Sequence, residues 1–168
     1  MNLEHIKDHL NAYKEHDQIF EAAHFLIESF GLESENFAGL GFRLELEPNK
    51  MLLTTEGVLG EKQMVMIPRN LFDFDLNLVA NMVAHEMLHV RQKAPETLLE
   101  DKNEREFQAY YEMLFHKEFP LVPDVSDFHK KFFAEKALEY YKRMGENSDL
   151  QKKYLDQKIE VEKLISAL

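Results

Sequence analysis

The run from Leu76 to Val90 is apolar on nearly every side of a helix, and no other stretch constrains the fold as strongly. A helix with so little polar surface belongs inside a protein, packed between other elements. Its few polar residues are ordered: Asn77, Asn81, His85, His89 and Gln92 follow at spacings of four, four, four and three, which makes one stripe down one face. A buried polar stripe must find partners, and a metal ion is one. Within it, His85-Glu86-Met87-Leu88-His89 stacks two imidazoles one turn apart, where both can bind a single tetrahedral zinc ion. Glu86, about 100° round the helix from His85, is placed to act on water rather than on the metal.

Composition narrows the chemistry. The chain has 168 residues and a formal charge of −11, which argues against nucleic acid as its main partner. With no Cys, there is no disulfide, thiol nucleophile or thiolate-bound metal, so any metal must be held by His, carboxylate or water. Hydrophobic residues make up 45%, with few Gly and Pro, as expected of a folded chain rather than a disordered one. The length suits one domain over residues 1–168, able to bury about 70% of the surface its unfolded chain exposes. No basic start followed by an apolar run opens the chain and no stretch reaches the length of a membrane span, so the expectation is a soluble, cytoplasmic protein with no membrane partner.

Periodicity predicts a helix-dominated α+β domain. Leu3, Ile6, Leu10 and Tyr13, then Ile19, Phe20, Ala23 and Ile27, fall at helical spacing, giving two helices or one kinked helix stopped at Gly31. From about Phe42 to Ile67 the period shifts toward two, and Phe42–Glu47, Met51–Thr55 and Met64–Ile67 read as a three-stranded antiparallel meander. After Pro68 the pattern is helical to the end. Asp73 or Asp75 caps the helix that reaches about Ala94, Thr97 opens a capping box for the next, Ser126 caps a third that ends at Gly145, and Ser148 or Asp149 starts a single last helix.

The helix after Pro95 offers a third ligand. Glu106 shares a face with Leu99, Ala109, Tyr110 and Met113, whereas Glu104 falls with Glu100, Asp101, Gln108 and Glu112, a face read as solvated. A carboxylate on a core face is costly unless it is paired or ligates a metal, which selects Glu106. The structural alternatives are a Glu106 paired with Arg91, Lys93 or Arg105, and two core histidines satisfied by Asn77, Asn81 and Gln92. His5, His9, His16, His116 and His129 read as surface residues, and the aromatic residues as ordinary packing.

His85-Glu86-Met87-Leu88-His89 followed by Glu106-Phe107-Gln108-Ala109 resembles the zincin metallopeptidases, in particular their gluzincin branch, over roughly residues 63–115. The resemblance implies one zinc per chain on His85, His89 and Glu106, and Glu86 as general base in peptide-bond hydrolysis. It also implies a sheet whose edge strand docks an extended peptide or protein substrate. Met64, Val65, Met66 and Ile67 are the apolar strand expected to serve as that edge. Gluzincins often carry Asp where this chain has Tyr110; Tyr110 and Tyr111 are candidates to orient an imidazole or to stabilise an oxyanion. The metzincin extension is missing, because Gln92 and Pro95 stand in its place, and the cysteine ligand of peptide deformylases is absent. Two other readings stand beside this one. Glu21-Ala22-Ala23-His24 and Glu86-Met87-Leu88-His89 are both ExxH, the motif of di-iron helix-bundle oxidoreductases. A zincin-like fold can also serve as a non-catalytic peptide-binding or regulatory domain. Oligomeric state is open, since the apolar face of the last helix fits either its own core or a second subunit.

Overall fold

Asn2 accepts a hydrogen bond from the His5 amide and so starts the first helix, α1 (Leu3–Glu15), which turns at Asp17 into α2 (Ile19–Ser29). Gly31, at φ 65°, ends this hairpin in the left-handed region as expected. The computed structural model describes residues 2–44 and 48–168. Over these residues the protein is a helix-dominated α+β structure with one small sheet.

The strands are β1 (Phe37–Arg43), β2 (Thr54–Glu56) and β3 (Gln63–Pro68), in the order β1-β3-β2. The expected antiparallel meander is therefore corrected to a mixed sheet, in which β3 pairs parallel with β1 and antiparallel with β2. The first strand begins and ends earlier than the alternation of 42–47 suggested, and residues 45–47 lie outside the described residues. Composition explains the order. Met64-Val65-Met66-Ile67 is the most apolar strand and takes the centre, where both of its edges are paired, while polar Thr54-Thr55-Glu56 takes an edge. Met64 to Ile67 thus cannot dock a peptide by strand addition, contrary to expectation.

The pleat of β3 sends Val65 and Ile67 into the core and Met64 and Met66 to the other face. Gly41 makes room for that second face, since a Cβ there would lie 2.7 Å from Met66 Sδ.

Asp75 accepts from the Leu78 amide and opens α3 (Leu76–Gln92), the long apolar helix. Its all-round greasiness has a direct cause. One side, with Val79, Val83, Met87 and Val90, completes a core with α1, α2 and the sheet. Leu78 and Met82 reach a second core built around Phe107, Phe133, Ala137, Tyr141 and Val161.

Past a 3₁₀ turn at Pro95–Thr97, the next helix is α4 (Lys102–Phe115). Its cap is Asp101, which accepts from the Glu104 amide; the expected capping box at Thr97 does not form, because the Thr97 hydroxyl donates to the Arg91 carbonyl instead. Replacing Asp101 by Ala is accordingly expected to cost about 1 kcal/mol, or roughly 2–4 °C in Tm, and Thr97→Ala less. Thermal denaturation showing the larger loss at Thr97 would refute that assignment.

Ser126 caps α5 (Asp127–Arg143), and Gly145 stands at φ 100° beyond it. The expected single last helix is broken at Tyr154 into α6 (Asp149–Lys153) and α7 (Leu155–Ala167). Tyr154 is buried at the break because its hydroxyl is drawn onto α4. No helix among the described residues is long and apolar enough to cross a membrane.

Candidate metal centre

The polar stripe of α3 meets α4 where the two cores join. His85 and His89 are both buried, and Glu106 closes on them from α4. His85 Nε2 and His89 Nε2 are 3.1 Å apart, and the Glu106 carboxylate oxygens lie 3.4 Å from the first and 3.5 Å from the second. Among the described residues this is the group of His and carboxylate side chains close enough to hold one ion.

Hydrogen bonds behind the imidazoles decide which nitrogens carry protons. Gln92 Nε2 donates to the Arg105 carbonyl and to Gln108 Oε1, each at 3.0 Å, which fixes the amide and leaves Gln92 Oε1 to accept from His89 Nδ1 at 2.8 Å. His85 Nδ1 points at Met113 Sδ, 3.2 Å away, and a thioether can only accept. In the neutral imidazoles both Nε2 atoms are then lone pairs facing each other and a carboxylate. Such a triad repels itself unless positive charge sits within it.

The surroundings of His89 and Glu106 favour positive charge at this position. Burial opposes a charge on His89, yet the Glu106 carboxylate, with Glu86 and Gln92 adding, raises its pKa above the ordinary value. Burial likewise works against the ionised form of Glu106, but His85 and His89 outweigh it and hold the carboxyl well below the usual range.

The three donors fit zinc. Bonds of 2.0–2.1 Å at tetrahedral angles put neighbouring ligand atoms about 3.3 Å apart, which matches the separations above, and two imidazoles with one carboxylate are an N,N,O set zinc accepts.

Glu86 is buried beside the triad, held from the sheet. Thr55 on β2 places its hydroxyl 2.7 Å from Glu86 Oε2 and 3.0 Å from the Glu86 carbonyl oxygen. A cleft of about 220 Å³ opens over the site, lined by Thr54, Thr55, Glu86, His89 and Glu106 together with Lys93, Lys102 and Arg105. Burial, with Arg105 adding, lowers the Lys93 pKa. A larger cavity of about 490 Å³ lies behind Gln92 and Gln108 and does not include His85, Glu86, His89 or Glu106.

The two tyrosines part company. Tyr110 sits edge-on to His85, with ring centres 4.7 Å apart, and burial raises its pKa so that the phenol stays protonated. Tyr111 faces away, donates to Glu160 and lines the larger cavity, so it has no part in the site.

Glu104 also departs from expectation. It is buried, accepting from the Tyr154 hydroxyl at 2.7 Å and from Lys153 Nζ at 2.8 Å. His116, expected at the surface, is half-buried at the left-handed end of α4, where its Nε2 donates to Asn81 Oδ1 at 2.9 Å. Glu21 and His24 lie exposed on α2 and do not join the His85 group, which removes the second motif a di-iron site needs.

Residue patterns alone missed Thr55, Met113, Gln108 and Tyr154. Thr55 and Met113 carry no motif, since a lone hydroxyl on a strand and a core methionine are common. Gln108 and Glu104 did carry a signal, being part of a second polar series at four-residue spacing, Glu104, Gln108 and Glu112. No protein-family model matches the chain, and no curated protein or solved structure matches it.

Proposed function

We propose that this protein is a zinc-dependent peptidase of the zincin type, with His85, His89 and Glu106 as metal ligands and Glu86 as general base. One observation carries the reading: two imidazole Nε2 atoms and a carboxylate converge at the edge lengths of a zinc tetrahedron, with a second carboxylate beside them that is not part of the triad.

Zinc, when bound, supplies a Lewis acid that polarises a carbonyl and makes water more acidic. The remaining work falls to the chain. Glu86 accepts a proton from the water that adds to the scissile carbonyl and returns it to the amide nitrogen as the C–N bond breaks, so that one water is added across the peptide bond. Thr55 occupies Glu86 Oε2, which fixes the rotamer and leaves Oε1 for the proton. The protonated Tyr110 hydroxyl is the candidate donor to the developing oxyanion. Strand β2, paired on one side by β3, replaces Met64–Ile67 as the edge beside the cleft along which an extended substrate adds.

Metal loading tests this directly. Chelator-stripped protein is expected to take up one zinc per chain, measured by mass spectrometry. At a thousandfold excess over Kd this adds about 4 kcal/mol, or roughly 8–16 °C in Tm, reversed by EDTA. The loaded protein is then expected to cleave an unstructured polypeptide that the stripped protein leaves intact. Absence of zinc uptake, or uptake without cleavage, would sink the proposal.

A further inference from the structure

Resting on the peptidase reading, we infer that the cleft selects substrates with a negative charge close to the scissile bond, because Lys93, Lys102 and Arg105 converge there beside Glu86 and Glu106. The placement runs against the rest of the molecule. A chain of net charge −11 has gathered three cations around the cleft that holds Glu86, His89 and Glu106.

These cations are not accounted for by structural ion pairs. Among the described residues, none of the three has a carboxylate within 4.0 Å, while ion pairs form elsewhere on the same helices, as between Lys153 and Glu104. Lys93 is half-buried at the end of α3, and among the described residues its ammonium reaches only the Thr55 carbonyl, at 3.4 Å. Arg105 anchors one nitrogen on the Leu99 and Glu100 carbonyls, both at 2.8 Å, and no acceptor among the described residues sits on the rest of its guanidinium. A half-buried ammonium without a counter-ion is costly, and a substrate anion would supply the missing partner.

Glu86 and Glu106 do not fill that role in the loaded protein. Glu106 is committed to the metal and Glu86 must stay available to water, so a divalent ion leaves the cleft with surplus positive charge. The fitting group is a carboxylate, supplied either by the chain end of a peptide or by an acidic side chain. An anion guided to this corner would hold the neighbouring amide over the metal.

The test uses zinc-loaded protein and four small chelating probes, the malonyl hydroxamates of alanine, alaninamide, glutamic acid α-amide and glutaminamide. Isothermal titration gives their affinities at low and at high salt. At low salt the anionic member of at least one pair is expected to bind about ten- to a hundredfold more tightly than its neutral partner. Preference for alanine over alaninamide identifies a chain-terminal carboxylate, and preference for the glutamic over the glutamine probe identifies an acidic side chain. The preference is expected to shrink with ionic strength, and in the Lys93→Met/Lys102→Met variant to fall to a few-fold while the neutral probes bind as before.

Equal affinities within both pairs would overturn the inference and leave the peptidase reading intact. A preference undiminished in the double variant would likewise overturn it. Failure of all four hydroxamates to bind, or of the protein to hold zinc, would overturn the peptidase reading and the inference with it.

Discussion

In zinc-loaded protein, Glu86→Gln is expected to lower peptide hydrolysis about a hundred- to ten-thousandfold while the zinc content stays at one per chain. The split follows from geometry. Glu86 is not one of the three side chains that surround the ion position, so its removal leaves the ligand set whole. Glutamine keeps the size of the side chain and can still accept from the Thr55 hydroxyl, so the change is confined to the loss of a base. His85→Ala or Glu106→Gln should behave oppositely, losing zinc and activity together. Thr55→Val gives a graded control, since it removes one hydrogen bond to the base and should cost about tenfold or less. Zinc loss in Glu86→Gln, or hydrolysis that survives it, would show that Glu86 is not the base.

How much of this was legible in the sequence depended on whether a feature was local. The helix around His85 announced itself, because a polar stripe on an otherwise apolar helix has no solvent in which to hide. Glu106 was found by the same logic on the next helix. The sheet order was not legible. Strand lengths and turns near Pro48 and Gly57–Gly60 fit a meander equally well, and only the competition for the central position between an apolar β3 and a polar β2 decides the topology. Glu104 is buried against its local pattern. Its face of α4 holds charged and amide side chains, which reads as solvated, yet the α6–α7 break drops Tyr154 onto it and buries it. A row of polar residues at four-residue spacing reads as a buried stripe on α3 because its neighbours are apolar, and as surface on α4 because they are not. The distant residue that covers α4 lies about fifty positions away, and nothing in the local pattern refers to it.

That covered stripe leads to the second large effect. Gln92 Nε2 donates to Gln108 Oε1 at 3.0 Å, Gln108 Nε2 donates to the Tyr154 hydroxyl at 2.6 Å, and Tyr154 donates to Glu104 Oε1 at 2.7 Å. Every donor points the same way, from His89 outward to an anchored carboxylate, and burial together with Glu104 pushes the Tyr154 phenol up to about 12, so that it remains a donor. Gln92→Leu cuts the first link of this chain of hydrogen bonds and leaves His89 Nδ1, Gln108 and the Arg105 carbonyl without their partner. Zinc affinity is therefore expected to fall about ten- to a hundredfold, with a stability loss of about 1–3 kcal/mol in the metal-free protein. Tyr154→Phe cuts the chain two links further out. It should cost comparable stability, since it leaves Gln108 Nε2 without its acceptor and Glu104 with Lys153 alone, but should weaken zinc by only a few-fold, because Gln92 keeps its bond to the Arg105 carbonyl and so its orientation. The two measurements together separate positioning from folding. If zinc affinity instead falls in step with metal-free stability in both variants, the chain is structural support and His89 is oriented by the helix alone.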